Sequence, residues 1–243
     1  MEATTQPPAH VTQAWRAYWD AHGGELGAEP PAYLRDVLLH ELSPAPGMRI
    51  LEAGCGTGGL SRALADAGAH VTMIDIVAAC VFQGLAGTGP RAAGVNADLF
   101  RMPFADGSFD VVWNSGVMEH FEPDQLARGL AEMARVLRPG GRLVVIVPSK
   151  RGRYYVRGKR RMERAGKWEY GVEHPQGSLA PLIGDGLALA REYEVGVRWQ
   201  TRFLDGWRRT LAAALTRPFS ETSRVGAALF GGYLLVSSWT KNA

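Results

Sequence analysis

The 243-residue sequence has few of the features that mark disulfide-rich, zinc-binding or membrane-spanning proteins. Its only two cysteines, Cys55 and Cys80, are too few for a disulfide framework and lack the CxxC spacing of a zinc site. No apolar run approaches the ~20 residues that cross a bilayer. The first residues also lack the basic start and apolar stretch of a signal peptide. We therefore expect a soluble cytoplasmic protein with no membrane partner.

Neither positive nor negative charge is in large excess, because 27 basic and 24 acidic residues leave a net charge of +3. A balance this small does not indicate a nucleic-acid partner by itself. The basic residues are nevertheless concentrated in residues 150–167, which hold nine of them against one acid, Glu163. This segment could contact an acidic small molecule, a carrier-bound substrate or RNA. Its helical spacing of arginines favours a solvated helix face instead.

Short apolar segments alternate with amphipathic ones through most of the chain. Near-continuous apolar strands between helices predict an α/β fold, a parallel sheet with helices on both faces. We expect helices at 61–68, 77–86, 123–137, 178–191, 205–216 and 223–229, and strands at 49–53, 70–75, 91–98, 108–116, 142–149, 192–203 and 233–241.

The residues before the first strand differ in pattern. Residues 11–22 place Trp15, Tyr18 and Trp19 on one side of a predicted helix, and a second helix is expected over 31–42. We interpret residues 1–45 as an N-terminal helical lid that excludes water; a helix packed permanently on the sheet is the alternative. Residues 46–243 are predicted to be the α/β domain, in which the basic stretch 150–190 covers the substrate.

A glycine-rich loop, residues 52–59, follows the first strand and opens a helix. Glycines there let the backbone turn tightly and approach a ligand, and the helix N-terminus offers free N–H groups. Gly54, Gly56 and Gly59 also satisfy G-x-G-x-x-G, which alone is a weak dinucleotide fingerprint. Asp75 stands where a ribose-binding acid belongs with either a nicotinamide or a sulfonium cofactor, so the loop leaves both open.

Four features together separate these cofactors. They are the pattern Glu52-x-Gly54-x-Gly56-x-Gly58, about fifty residues before the first strand, Asp98 within ADLFRMPF, and the segments FDVVWNSGVMEHF and LRPGGRLVVIVP that follow. The sequence thereby resembles the class I S-adenosylmethionine-dependent methyltransferases, specifically small-molecule enzymes related to ubiquinone biosynthesis. The resemblance is strong over 48–150 and weaker beyond. It implies a Rossmann-like three-layer sandwich whose seven-stranded, mostly parallel sheet has an antiparallel last strand.

The resemblance also assigns a binding site for S-adenosylmethionine and its product S-adenosylhomocysteine. It implies that Asp75 bonds the ribose hydroxyls and Asp98 the adenine amino group. The residues expected against the cofactor are Glu52, Gly54, Cys55, Gly56, Gly58, Asp75, Ile76, Asp98, Leu99, Asn114 and Ser115.

Two histidines are candidates for the proton transfer that an O or N acceptor requires. His120 follows the fourth strand and His174 lies in the loop region expected to close over the acceptor. In the ubiquinone-type relatives a Glu-His pair at the place of Glu119 and His120 can take part in metal binding. No second acidic ligand stands in clear register here, so no metal ligand is predicted. The residues expected to line the substrate site are Trp15, Tyr18, Trp19, Tyr154 and Tyr170.

These features predict methyl transfer from S-adenosylmethionine to O, N or C of a small-molecule metabolite, with secondary metabolism as one setting. A methyltransferase for RNA or for a carrier-bound substrate, a nicotinamide oxidoreductase and a non-catalytic cofactor-binding subunit remain as alternatives. A nucleic-acid substrate is not favoured. Asn114 is not followed by the Pro-Pro-Tyr/Phe of amine methylases, and no pair of motif cysteines suggests a C5-pyrimidine enzyme.

Overall fold

A computed structural model describes residues 13, 15–19, 30–86 and 88–243. It contains a seven-stranded sheet with the strand order β3-β2-β1-β4-β5-β7-β6. β1 to β5 pair in parallel, and β7 lies antiparallel between β5 and β6. This confirms the predicted Rossmann-like sheet with its antiparallel last strand. The strands are β1 Arg49–Ala53, β2 His70–Asp75, β3 Ala92–Asn96, β4 Phe109–Ser115, β5 Leu137–Pro148, β6 Leu187–Val195 and β7 Leu234–Lys241.

Seven helices flank this sheet in the range from residue 30 onward. They are α1 Ala32–Leu42, α2 Gly59–Asp66, α3 Ala78–Leu85, α4 Pro123–Val136, α5 Arg153–Arg164, α6 Gly206–Thr216 and α7 Arg224–Phe230, with short 3-10 turns at Met118–His120, Ala180–Leu182 and Trp199–Phe203. Residues 15–19 are also helical. Among the helices described, none is long and apolar enough to cross a membrane.

The core lies on both faces of the sheet because side chains alternate along each strand. In β4, Val111 and Trp113 pack into one buried cluster, whereas Val112 packs into the other with Leu130 and Met133 of α4. Burying one such side chain fully contributes about 1.5–3 kcal/mol. The helices are therefore held on both faces, as the apolar strands predicted.

The C-terminal third departs from the sequence-based expectations. Residues 178–191 are not a helix but a 3-10 turn followed by the start of β6, because Pro181, Gly184 and Gly186 interrupt any helix there. β6 ends at Val195 rather than running to residue 203. Gly196 ends it with a left-handed φ of 79°, and a Cβ there would lie 2.9 Å from the Cβ of Tyr233.

The strand order places the ligand-binding edge of the sheet. The strand order reverses direction between β1 and β4, so the connections that follow these two neighbouring strands lead to opposite sides. In open α/β sheets the crevice at this point, outside the carboxyl ends of the strands, is where ligands bind. The glycine loop follows β1 there, and the Glu119-His120 pair follows β4.

Candidate active site

A cavity of about 280 Å³ opens at the carboxyl ends of β1, β2 and β4. Segments that follow four different strands form its walls, and the helical residues 15–19 cover part of it. Among the predicted cofactor-binding and substrate residues, those that line the cavity are Trp15, Trp19, Glu52, Gly54, Cys55, Gly56, Asp75, Ile76, Asp98, Leu99 and Ser115.

The glycine loop keeps this cavity open. Gly54 and Gly56 have left-handed φ angles of 83° and 48°, which L side chains rarely adopt. A Cβ at Gly54 would lie 2.6 Å from Val117, and one at Gly56 would lie 3.0 Å from the ring of Trp19. Gly58 has a different role and does not line the cavity. A Cβ there would meet the Cα of Gly84 at 2.8 Å, so Gly58 allows α2 to pack closely on α3.

Three carboxyl groups border the cavity at the ends of successive strands. Glu52 is buried and accepts a hydrogen bond from the Ser61 hydroxyl of α2, and burial raises the pKa of Glu52 to about 8. Asp75 accepts the N–H groups of Gly56 and Val77, each at 2.9 Å, through its two different oxygens. These bonds fix the carboxylate against the glycine loop, although burial still raises the pKa of Asp75.

Asp98 is arranged similarly after β3. Its Oδ1 accepts the N–H of Phe100 at 2.9 Å, and burial raises its pKa. A carboxylate oxygen accepts more than one hydrogen bond, so both Asp75 and Asp98 retain acceptor capacity toward the cavity. The site can therefore recognise a ligand with hydroxyl donors near Asp75 and an amino donor near Asp98.

The structure corrects one prediction at the end of β4. Ser115 lines the cavity, but Asn114 faces the opposite side of the sheet because neighbouring residues in a strand alternate. The Asn114 amide is buried, with its Nδ2 3.8 Å from the sulfur of Met133 in α4. Its position beneath α4 does not suit a contact with cofactor.

Next to the cavity lies a group that we name the acid cluster: Glu119, His120 and Glu173. One ligand atom from each lies within 4.8 Å of the others. Glu119 and His120 belong to the 3-10 turn after β4, whereas Glu173 comes from the loop after α5. A Cβ on Gly116, which lines the cavity, would lie 3.9 Å from a carboxylate oxygen of Glu119. The cluster and the cavity are therefore direct neighbours.

Burial controls protonation in this cluster. It raises the pKa of Glu119 to about 8 and that of Glu173 to about 7, although the Tyr155 hydroxyl donates to Glu173 at 2.8 Å. It lowers the pKa of His120 to about 4. The Nδ1 atom of His120 lies 2.8 Å from the carbonyl oxygen of Val172, which can only accept. The proton of the neutral ring is therefore on Nδ1, and Nε2, 4.0 Å from Glu119 Oε1, carries the lone pair.

Sequence reasoning missed Glu173 because a loop brings it to Glu119 from 54 residues away. The His174 N–H donates to the Glu119 carbonyl at 2.7 Å and anchors this loop. The His174 side chain, predicted as a catalytic candidate, lies at the rim, where its Nε2 is 3.4 Å from Glu122. The backbone of His174, rather than its imidazole, shapes the cluster.

Among the predicted substrate residues, Tyr154 is placed away from the others. Its ring stacks on Phe230 of α7 with centroids 6.0 Å apart. The adjacent Tyr155 is fully buried and reaches Glu173 instead. The two successive tyrosines therefore point in different directions, since neighbours on a helix are about 100° apart.

The aromatic residues of the N-terminal segment lie against both parts of the site. The ring of Trp15 meets that of His120 edge-on at 4.6 Å, and Tyr18 lies 6.3 Å from Tyr170. Trp15 and Trp19 also line the cavity. The rest of the predicted lid before α1, residues 1–12, 14 and 20–29, lies outside the described part of the chain. The described turn covers the junction of cavity and acid cluster.

Comparison with known proteins shows what the domain is similar to. Residues 50–141 match a family described as a methyltransferase domain. A demethylmenaquinone methyltransferase of Beutenbergia cavernae is 44% identical over 111 residues, 46% of this chain and 45% of that protein. A malonyl-acyl-carrier-protein O-methyltransferase of Enterobacter lignolyticus is 38% identical over 109 residues, 44% of this chain and 41% of that protein. The aligned region spans less than half the length of these curated relatives.

Solved structures extend the similarity of fold across nearly the whole chain. The match to a chain in the complex of the Haloferax volcanii Trm112 methyltransferase activator with a methyltransferase has a TM-score of 0.66 at 22% identity, covering 93% of this chain and 96% of that one. The cyclase SpnF matches with a TM-score of 0.59 at 19% identity, covering 87% of this chain and 80% of that one. These likenesses establish the fold, and the match of residues 50–141 to a methyltransferase domain agrees with the resemblance found in the sequence.

Proposed function

We propose that this protein, whose residues 50–141 match a methyltransferase domain, transfers a methyl group from S-adenosylmethionine to a small-molecule acceptor. One observation carries the proposal: the open glycine loop, Asp75 and Asp98 border a single cavity at the carboxyl ends of the strands. The cyclase among the structural neighbours shows why the fold alone is insufficient for this conclusion.

Different residues along the cavity would bind the ribose, adenine and methionine parts of this cofactor. Asp75 would accept the two ribose hydroxyls, Asp98 the adenine amino group, and Ile76 would pack on the adenine. Ser115 and Gly54 would lie at the methionine end, beside the acid cluster. Bound S-adenosylmethionine would supply a methyl group activated on a sulfonium sulfur. The protein then has to align the acceptor with that methyl group, and such positioning can contribute roughly 7–11 kcal/mol.

The acid cluster would receive the acceptor. In the metal-free cluster, His120 Nε2 is the candidate to accept a proton from an acceptor hydroxyl or ammonium, since its lowered pKa keeps the ring neutral at pH 7. The rings of Trp15, Tyr18 and Tyr170 would cover a flat, apolar acceptor. The relatives include a demethylmenaquinone methyltransferase and a 2-methyl-6-phytyl-1,4-hydroquinone methyltransferase, which supports an aromatic or polyfunctional acceptor here.

The acid cluster also fits a divalent cation, which a Glu-His pair at this place can help to bind in the ubiquinone-type enzymes that the sequence resembles. Glu119, His120 and Glu173 offer carboxylate and imidazole ligands, and Glu119 Oε2 is buried with no hydrogen-bond partner in the described structure. An ion there would polarise an acceptor oxygen. Its binding would release protons from both glutamates, because their pKa values are raised.

A titration tests this role of the cluster separately from methyl transfer. Mn²⁺ or Zn²⁺ should raise the melting temperature of the wild type and not that of Glu173→Gln. Asp66→Asn, a change at an exposed acid at the end of α2, is the matched control and should respond like the wild type. An equal response of wild type and Glu173→Gln would contradict a metal at this cluster.

The activity is tested first by calorimetric titration with S-adenosylhomocysteine, with NADH as the control ligand. We expect micromolar binding of S-adenosylhomocysteine and none of NADH. NADH is the control because the glycine loop and Asp75 alone would suit either cofactor. Acceptors can then be screened by the mass increase of one methylene. Binding of NADH alone would favour an oxidoreductase, and cofactor binding without turnover of any acceptor would favour a non-catalytic subunit.

A further inference from the structure

The insertion between β6 and β7, residues 196–233, presents an apolar stripe to solvent. On α6, Trp207, Leu211 and Leu215 are 68%, 51% and 49% exposed. Their i, i+4, i+8 spacing places them along one side of the helix. The buried residues of α6 are Ala212 and Thr216, which lie on another side. The apolar stripe is therefore not what holds α6 on the protein.

The second helix of the insertion also exposes apolar side chains. Val225 and Leu229 of α7, four residues apart, are 63% and 51% exposed. The ring of Phe230 lies 5.8 Å from that of Phe219, which fixes α7 to the turn after α6. Large exposed side chains that recur at helical spacing on both helices of the insertion favour an interaction surface over scattered exposure.

Positive charge surrounds this surface. Residues 198–224 contain two acids, and both are engaged: Asp205 pairs with Arg161 of α5, and Glu221 accepts the N–H groups of Arg198 and Trp199. The guanidinium of Arg208 lies 5.1 Å from the ring of Trp207, at the edge of the stripe. The exposed arginines of this range are Arg198, Arg202, Arg208, Arg209, Arg217 and Arg224.

We propose that α6 docks this protein on the surface of a membrane that contains anionic lipids. A helix with Trp and Leu on one side and arginines beside them lies flat in the headgroup region, where its apolar side enters the acyl boundary. The arginines then meet lipid phosphates, and each contributes to the attraction. A second copy of the chain is a poorer occupant, because it would bring the same arginines against each other.

The neighbouring helix extends this cationic surface. The pair between Arg161 and Asp205 joins the C-terminal part of α5 to the start of α6. The arginines at positions 153, 157, 160 and 164 of α5 are exposed. The predicted solvated face of the basic segment thus becomes part of the membrane-facing side. Association of this kind is peripheral and revises the expectation of no membrane partner.

The test is co-flotation of the full chain with vesicles of phosphatidylcholine, with or without an equal part of phosphatidylglycerol. We expect binding that depends on phosphatidylglycerol and weakens with salt. The double variant Trp207→Ser with Leu211→Ser should lose roughly tenfold or more in affinity. Arg208→Gln with Arg209→Gln should lose about fivefold per arginine.

Matched controls lie on the other side of the fold. Phe82→Ser, at a residue of α3 that is 73% exposed, and Arg91→Gln, at an exposed loop residue, should bind vesicles like the wild type. Every variant should bind S-adenosylhomocysteine as the wild type does, which separates this proposal from the proposed activity. Absence of vesicle binding in the wild type, equal binding by the stripe variant, or a dimer that only the stripe variant dissociates would overturn it.

Discussion

Replacement of Asp75 by asparagine tests the cofactor site most directly. The Asp75 carboxylate accepts two backbone N–H groups through separate oxygens, from Gly56 and Val77. Asparagine has one acceptor oxygen, so one of these N–H groups would face an NH₂ group. The variant also loses the charge that would receive two ribose hydroxyls. At about 1.5–3 kcal/mol for each hydrogen bond to a charged group, we expect roughly 10²- to 10⁴-fold weaker binding of S-adenosylhomocysteine.

The matched control is Asp110→Asn. Asp110 also accepts a backbone N–H, that of Arg49 at 2.7 Å, and pairs with Arg138 at 2.6 Å, but it lies at the start of β4, far from the carboxyl ends that form the cavity. Both variants should lose stability in thermal melts, whereas only Asp75→Asn should lose affinity in calorimetry. The assignment of Asp75 is refuted if Asp75→Asn binds as the wild type does, or if Asp110→Asn weakens binding equally.

Three further results are expected. Gly54→Ala should lower both stability and cofactor affinity, because its Cβ would meet Val117 at 2.6 Å at a φ of 83°; Gly89→Ala, with nothing within 4 Å, is the control for both measurements. Without metal, Glu119 keeps in the folded state a proton that the unfolded chain releases, so the contribution of Glu119 to stability falls between pH 4.5 and about 8. Glu119→Gln should therefore melt higher than wild type at pH 8 and not at pH 4.5; an equal difference at both would contradict the burial. Tyr155→Phe removes the hydrogen bond to Glu173 and should raise the pKa of Glu173 above about 7 in a carbon-13 titration, and an unchanged pKa would show that the bond is not formed.

The first half of the site was predictable because its residues follow strand ends in a fixed order. The turn at Gly54 and Gly56 needs glycine for its backbone, and Asp75 and Asp98 each follow an apolar strand, so local sequence indicates their place. Asn114 shows the limit of this reasoning. The sequence located the end of β4, but a position one residue away changes the face of the sheet to which a side chain points.

The acid cluster was less predictable because tertiary contacts assemble it. Glu173 reaches Glu119 through a loop whose path depends on backbone hydrogen bonds between distant residues. The helix expected over 178–191 failed for a related reason. Residues from 187 onward pair with β7, and a strand neighbour that is distant in sequence outweighs local helix preference.

The acid cluster is held in place at a cost in stability, which is an argument for function. Burial raises the pKa values of both Glu119 and Glu173, so neither carboxylate gains from its position in the folded protein at neutral pH. Yet the backbone fixes their loop twice, through the His174 N–H to the Glu119 carbonyl and the Gln176 N–H to the Pro148 carbonyl at the end of β5. A loop anchored to the turn after β4 and to the end of β5, which buries two carboxyl groups beside the cavity, is explained by a ligand that needs them. Perturbed carboxyl groups concentrate at such sites.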